Sequence, residues 1–292
     1  MAELKAVERH GLSGAGRSRL LGGGLLVVLA TAGLLAPAAA FAQAGPQVSR
    51  QCEGRRDDGK LNGRGVCVYP SGNRYEGEFK NGLRHGQGTF TFSDGTRCQG
   101  TFENQLLNGR GQCAFSSGDR YEGEFRNGRP SGSGLWVFSD RTRCQGTFTN
   151  GTLNGRAMCE FPSGNRYEGE FKDGQREGQG AFIYADSTRC EGTFRGGSLN
   201  GIGRCTFPGG NRYEGEFRDG QRSGRGTFTY ASGPRCEGTF VNGSLNGPGV
   251  CIYPNGDRYE GTFKNGQYDG RGVLVTQDGK RQPLNWRNGR LE

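Results

Sequence analysis

From Arg74 to Arg258 an arginine recurs every 23 residues without insertion, each followed by Tyr or Cys and then by an Xaa-Gly pair. The blocks read Arg-Tyr-Glu-Gly-Glu-Phe at Arg74, Arg120, Arg166 and Arg212, and Arg-Cys-Gln/Glu-Gly-Thr-Phe at Arg97, Arg143, Arg189 and Arg235. Arg258 opens Arg-Tyr-Glu-Gly-Thr-Phe. A fixed period of this length marks a repeat array, in which each unit is one supersecondary element and its neighbours complete the core. Tyr-type and Cys-type blocks alternate, so the true unit is a 46-residue pair.

With 57 glycines and 32% apolar residues, the chain is poorly suited to a conventional globular core. Glycine at this frequency without a collagen triplet means either disorder or a turn in every repeat. A disordered linker has no reason to keep Tyr, Phe and Cys at fixed offsets, so the register points to a folded array.

Within one unit, Tyr75 to Phe79 and Thr89 to Phe92 alternate apolar and polar residues, the signature of strands with one buried face. Lys80 to Gly88, containing Asn81-Gly82, reads as the connecting turn, and Ser93-Asp94-Gly95 as the turn to the next unit. Glycine at inward positions 77, 100, 123, 146, 169, 192, 215, 238 and 261 leaves room for an aromatic ring to lie across the backbone. The expected core is an aromatic spine of Phe79, Phe102, Phe125, Phe148, Phe171, Phe194, Phe217, Phe240 and Phe263, joined by Phe90, Phe92, Phe115, Phe138, Phe161, Phe182 and Phe228. The predicted fold is all-β, an elongated single-layer antiparallel β-hairpin solenoid. Its ten units, spanning 52–281, open at Cys52, Tyr75, Cys98, Tyr121, Cys144, Tyr167, Cys190, Tyr213, Cys236 and Tyr259. Its ends need protection from edge pairing. Arg56 stands where the first unit should have phenylalanine, and Gln282 to Gly289 breaks the register, so residues 282–292 read as a cap.

Residues 1–44 lie outside the register. Lys5, Arg9, Arg17 and Arg19 precede an apolar run from Leu20 to Ala36, followed by Pro37 and small residues with Ala-Xaa-Ala cleavage sites after Ala42 or Ala44. That is the layout of a secretory signal, joined to the repeats by a linker at 45–51. An uncleaved Leu20–Ala36 anchor is the alternative. Cleavage removes four basic and two acidic residues and takes the net charge from +9 to +7.

The pattern Tyr75-Glu76-Gly77-Glu78-Phe79 with Gly82, Gly86 and Gly88, repeated at Tyr121, Tyr167, Tyr213 and Tyr259, resembles the MORN repeat. The resemblance implies a curved β-hairpin solenoid used for assembly, dimerisation or membrane-associated scaffolding. No kinase or methyltransferase domain accompanies the repeats here.

Half the units depart from that pattern by opening with Cys, and these same units carry a second Cys fifteen residues later. The pairs are Cys52 with Cys67, Cys98 with Cys113, Cys144 with Cys159, Cys190 with Cys205, and Cys236 with Cys251. Tyr-type units hold Tyr75 with Phe90, Tyr121 with Trp136, Tyr167 with Phe182, Tyr213 with Phe228, and Tyr259 with Leu274 at the same positions. Cysteine replaces both members or neither, which predicts that the two positions touch across the hairpin and that each pair is a disulfide. Together with a secretory signal, ten paired cysteines point to an oxidising compartment, the periplasm or the exterior.

Catalytic chemistry finds no foothold. His85, read in a turn, is the one histidine after residue 44, and no Ser, His and Asp pattern suggests a nucleophilic triad. The acidic rows Glu76, Glu122, Glu168, Glu214, Glu260 and Glu78, Glu124, Glu170, Glu216 repeat too regularly for a distinctive catalytic pair. No cofactor, metal or nucleic-acid ligand is expected. Arg74, Arg120, Arg166, Arg212 and Arg258, with Lys80, Arg126, Lys172, Arg218 and Lys264, form a candidate anion-binding face, against the simpler reading of a solvated, salt-bridged surface. The leading expectation is a non-enzymatic exported scaffold for protein interaction or assembly in the cell envelope. A peripheral binder of anionic lipid or polysaccharide is the alternative. The partner is open, and exposed terminal strands allow a homodimer.

Overall fold

A computed structural model describes residues 51–292; the predicted signal or anchor segment and most of the linker lie outside them. The described residues form 22 strands and no helix. They fall into two compact units, one ending at Gln175 and the other running from Arg176 to Glu292. In each, consecutive strands pair antiparallel into an open, single-layer sheet of β-hairpins.

The repeat is clearest in β3 (Arg74–Lys80) and β4 (Leu83–Thr91), which follow β1 (Gln51–Asp57) and β2 (Lys60–Val68). Only two residues, Asn81 and Gly82, separate β3 from β4, with φ of 53° and 79°. This is the twisted two-residue turn that matches the natural twist of paired strands, and Asn-Gly is its preferred sequence. The connection is therefore shorter than the expected Lys80–Gly88 turn, and His85 lies exposed within β4.

A bulge explains that difference. Gly77 faces Gly88, yet Phe79 faces Arg84, so four steps along β4 oppose two along β3. The extra residues break the two-residue alternation that would have marked β4 as a strand. They also turn Arg84 inward, where it is 5% exposed.

One face of each hairpin is packed. Tyr75, Tyr121, Tyr167, Tyr213 and Tyr259 are 0–1% exposed. The nine spine phenylalanines are buried too, while Phe92, Phe115, Phe138, Phe161 and Phe182 are only half-buried. The Tyr75 ring stands 5.1 Å from Phe79 in its own hairpin and 5.0 Å from Phe102 in the next, edge to face in both cases. Its hydroxyl donates to the Glu78 carbonyl at 3.0 Å, so the buried polar tip is satisfied. Tyr121 repeats this arrangement with Phe125, Phe148 and the Glu124 carbonyl, and Tyr213 with Phe217, Phe240 and the Glu216 carbonyl.

Opposite the spine, the hairpin position occupied by Arg84 holds buried Leu61, Leu107, Leu153, Leu199 and Leu245 in Cys-type units. In three of the five Tyr-type units Arg84, Arg176 and Arg222 take it, with their guanidinium groups over aromatic faces, and Pro130 and Tyr268 stand there in the other two. The Arg222 guanidinium carbon lies 5.4–6.0 Å from the ring centres of Phe207, Tyr213, Phe228 and Phe240. Burial lowers its pKa and raises that of Tyr213 to about 12.

The C-terminal stretch does not break the register. Arg281–Arg287 forms β21 against β20 (Gln267–Val275), with Gly270 facing Trp286 as Gly247 faces Phe263. Trp286 occupies the spine position and is 3% exposed. The tail is an eleventh half-repeat whose Tyr and Gly positions hold Gln282 and Leu284, which hid it at the sequence level.

Candidate interaction groove

The disulfides belong to the packed face. Cys52–Cys67, Cys98–Cys113, Cys144–Cys159, Cys190–Cys205 and Cys236–Cys251 are bonded, and no described cysteine is free. Cys98 and Cys113 face each other directly, with Cα atoms 4.1 Å apart. Phe90 faces Cys98 on one side and Tyr121 faces Cys113 on the other. Disulfide and aromatic pair thus alternate along one row across the strands, which accounts for the joint replacement of both residues.

Turn-to-turn hydrogen bonds hold both ends of the hairpins. At the tight-turn end, Asn62 Oδ1 accepts the Asn81 N–H at 2.9 Å and Asn108 Oδ1 that of Asn127 at 2.9 Å. At the other end, Asn73 Oδ1 accepts the Ser93 N–H at 2.9 Å and Asp119 Oδ1 that of Ser139 at 2.8 Å. The 23-residue spacing brings each donor beside its acceptor, but composition alone gives turn-forming Asn no such role.

The opposite face is polar. In the first unit it encloses a groove of 1390 Å³ between Glu53 and Thr147. Facing glycine pairs such as Gly77 with Gly88 and Gly100 with Gly111 expose backbone along its floor. Glu76, Glu78, Gln87, Thr89, Gln99 and Gln112 project among its lining residues. Several of these groups already have partners: Gln87 Nε2 donates to Thr101 Oγ1 at 2.7 Å, and Glu76 pairs with Arg74 at 2.7 Å. Glu78 and Glu124 pack over Gly86 and Gly132. In the second unit the equivalent Glu216 Oε1 accepts the Arg225 N–H at 3.0 Å, a contact that completes the bulge. The Glu78-type row thus has a structural task.

Within each compact unit, the residues of the candidate anion-binding face stand at opposite ends of the first strand of each Tyr-type hairpin, in two rows about 20 Å apart. Within the arginine row, Arg166 pairs with Glu168, and Arg258 pairs with Glu260 at 2.5 Å. Arg120 and Arg212 form no ion pair among the described residues. Lys80, Arg126, Lys172, Arg218 and Lys264 stand exposed beside the tight turns, also without an ion-pair partner there. The structure does not merge the two rows into one basic surface, because the Glu76-type and Glu78-type rows lie between them. Among the described residues, no group of three or more His, Cys, Asp or Glu side chains is placed to hold a metal ion, and no helix is long and apolar enough to cross a membrane.

No curated protein matches the chain. Among solved structures, the Drosophila melanogaster SAS-4 TCP domain, in complex with a proline-rich motif of Ana2, is similar at 15% identity and a TM-score of 0.36, covering 53% of this chain and 84% of that one. The TCP10 domain of Danio rerio CPAP is similar at 16% identity and a TM-score of 0.38, covering 76% and 99%. Likenesses this distant say nothing of function. The MORN repeat family model matches ten consecutive segments, from 57–74 and 75–97 through to 236–258 and 259–281. From Tyr75 onward its boundaries coincide with the openings read from the sequence, and the chain belongs to the MORN repeat family.

Proposed function

We propose that this chain is a non-enzymatic scaffold, exported to an oxidising compartment of the cell envelope, whose groove in the first unit holds an extended segment of a protein partner. The groove itself carries this reading: 1390 Å³ of space along a backbone floor, lined by amide, hydroxyl and charged side chains. The side-chain-free glycine floor lets an extended peptide approach closely, and the mixed polar walls suit side-chain hydrogen bonding to it. The aromatic platforms that would stack against sugar rings are turned to the other face. Five disulfides support the oxidising location.

A photo-crosslinking residue at Gln99 or Gln112, in the groove, should capture discrete protein partners in living cells, whereas one at exposed Ser71 should not. Equal capture from all three positions, or none from the groove, would reject the reading. The row of unpaired cations at Lys80, Arg126 and Lys172 favours the second reading, a peripheral binder of anionic lipid or polysaccharide. That reading requires vesicle or cell-wall binding that survives physiological salt and is lost when those three charges are reversed.

A further inference from the structure

Each Cys-type hairpin of the first unit carries an arginine on the polar face of its second strand: Arg64 on β2, Arg110 on β6 (Leu106–Ala114) and Arg156 on β10 (Thr152–Glu160). Each faces a glutamate of the next hairpin, Glu78, Glu124 and Glu170 in turn. Facing side chains on one sheet surface are close enough to pair. Yet none of the three arginines forms an ion pair among the described residues. The bulge supplies the reason. Glu78 and Glu124 turn away from the arginines and pack over Gly86 and Gly132 of the following strand, which commits their carboxylates to their own hairpins.

Arg64 and Arg110 line the groove, and so does Arg97. Arg97 is unpaired for a different reason: two residues on stands Gln99, where Cys-type hairpins of the second unit have Glu191 and Glu237. Those two glutamates pair with Arg189 at 3.3 Å and Arg235 at 3.8 Å. The same hairpins also hold Ile202 and Pro248 where the first unit has Arg64 and Arg110. Unpaired arginine donors along the glycine floor thus distinguish the groove of the first unit. Across that floor from Arg64 and Arg110, the carboxylates of Glu53 and Glu122 have no ion pair among the described residues, whereas Glu76 is held by Arg74.

We propose that the groove selects an extended acidic segment, and that Arg64 and Arg110 are the residues that read it, each holding one carboxylate of the partner through its fork of N–H donors. This rests on the groove being a peptide site and adds the chemistry of the peptide. Four strand steps separate β2 from β6, so the two arginines stand about 19 Å apart, the length of about six residues of extended chain. Side chains of such a chain alternate between its two sides, and an even spacing directs both acids to the arginine wall. Glu53 and Glu122 repel acids directed to the other wall, which fixes how the segment is turned about its own axis.

Panning a random linear peptide library against the chain recovered from an oxidising compartment tests this. Enriched peptides should carry two Asp or Glu residues at that spacing. The leading peptide should bind about tenfold more weakly to Arg64→Ala and to Arg110→Ala, and with native affinity to Arg156→Ala, whose arginine lies beyond the groove lining. Reversing both charges, Arg64→Glu with Arg110→Glu, should redirect the enrichment to Lys and Arg. All three arginines are exposed, and circular dichroism with thiol counting confirms that each variant is folded. Enriched peptides without paired acids, full affinity in both alanine variants, or an unchanged selection by the charge-reversed chain overturns the proposal while leaving the groove a peptide site. The absence of any enriched peptide rejects the peptide site and the proposal together.

Discussion

Glycine sets the spacing of this fold at the residue scale. A Cβ on Gly77 would stand 2.5 Å from the Gly88 Cα, 2.6 Å from the Tyr75 hydroxyl and 2.7 Å from the Gln87 carbonyl. Two of those atoms are backbone, so the clash cannot be relieved by a rotamer change. Gly77→Ala should therefore cost about 1–3 kcal/mol, the range for overpacked sites, read as a lower urea midpoint with an unchanged slope. A midpoint equal to that of the native protein would mean that the tyrosine does not lie on the glycine pair. The glycines and their aromatic partners were legible in the sequence because both recur at strand spacing. Arg84 and Arg222 were not, since a charged residue two positions past a turn reads as solvent-facing. The bulge turns each one inward, and aromatic faces stand in for the water it loses.

The hairpin is the element, and every second one is closed covalently. Strand existence followed from the alternation of Tyr75, Gly77 and Phe79. The start of β4 did not, because its extra residues carry no alternation to read. Groove and turn ladders lay further out of reach: both depend on which residues 19 to 23 positions apart become neighbours, and only the strand register decides that. The covalent closure was legible, through the joint replacement of two positions. Closing a loop of about fifteen residues stabilises by about 3 kcal/mol in the chain-entropy picture. Replacing Cys144 and Cys159 together by Ala should remove about that much. Trp136, buried and facing Cys144, reports it directly. Its fluorescence should shift at lower denaturant in the variant, and an unshifted transition would mean that the bond adds nothing to its hairpin.

For the whole molecule, one organisation follows from the alternation of two repeat types. A chain with 57 glycines loses much conformational entropy on folding and has little apolar surface to offset it. Five disulfides, one in every second hairpin, reduce that cost locally and leave the polar face free of structural cysteine. Each bridge stays within its own repeat because the next Cys-type hairpin lies beyond an entire Tyr-type hairpin. Oxidation therefore stabilises the chain hairpin by hairpin, and the five disulfides of its packed face are compatible with an oxidising location. Peptide mapping by mass spectrometry under non-reducing conditions, after alkylation of the denatured native protein, tests this most directly. It should yield five linked pairs, Cys52–Cys67, Cys98–Cys113, Cys144–Cys159, Cys190–Cys205 and Cys236–Cys251, and no alkylated cysteine. Several alkylated cysteines, or a bridge joining two repeats such as Cys67 to Cys98, would contradict it.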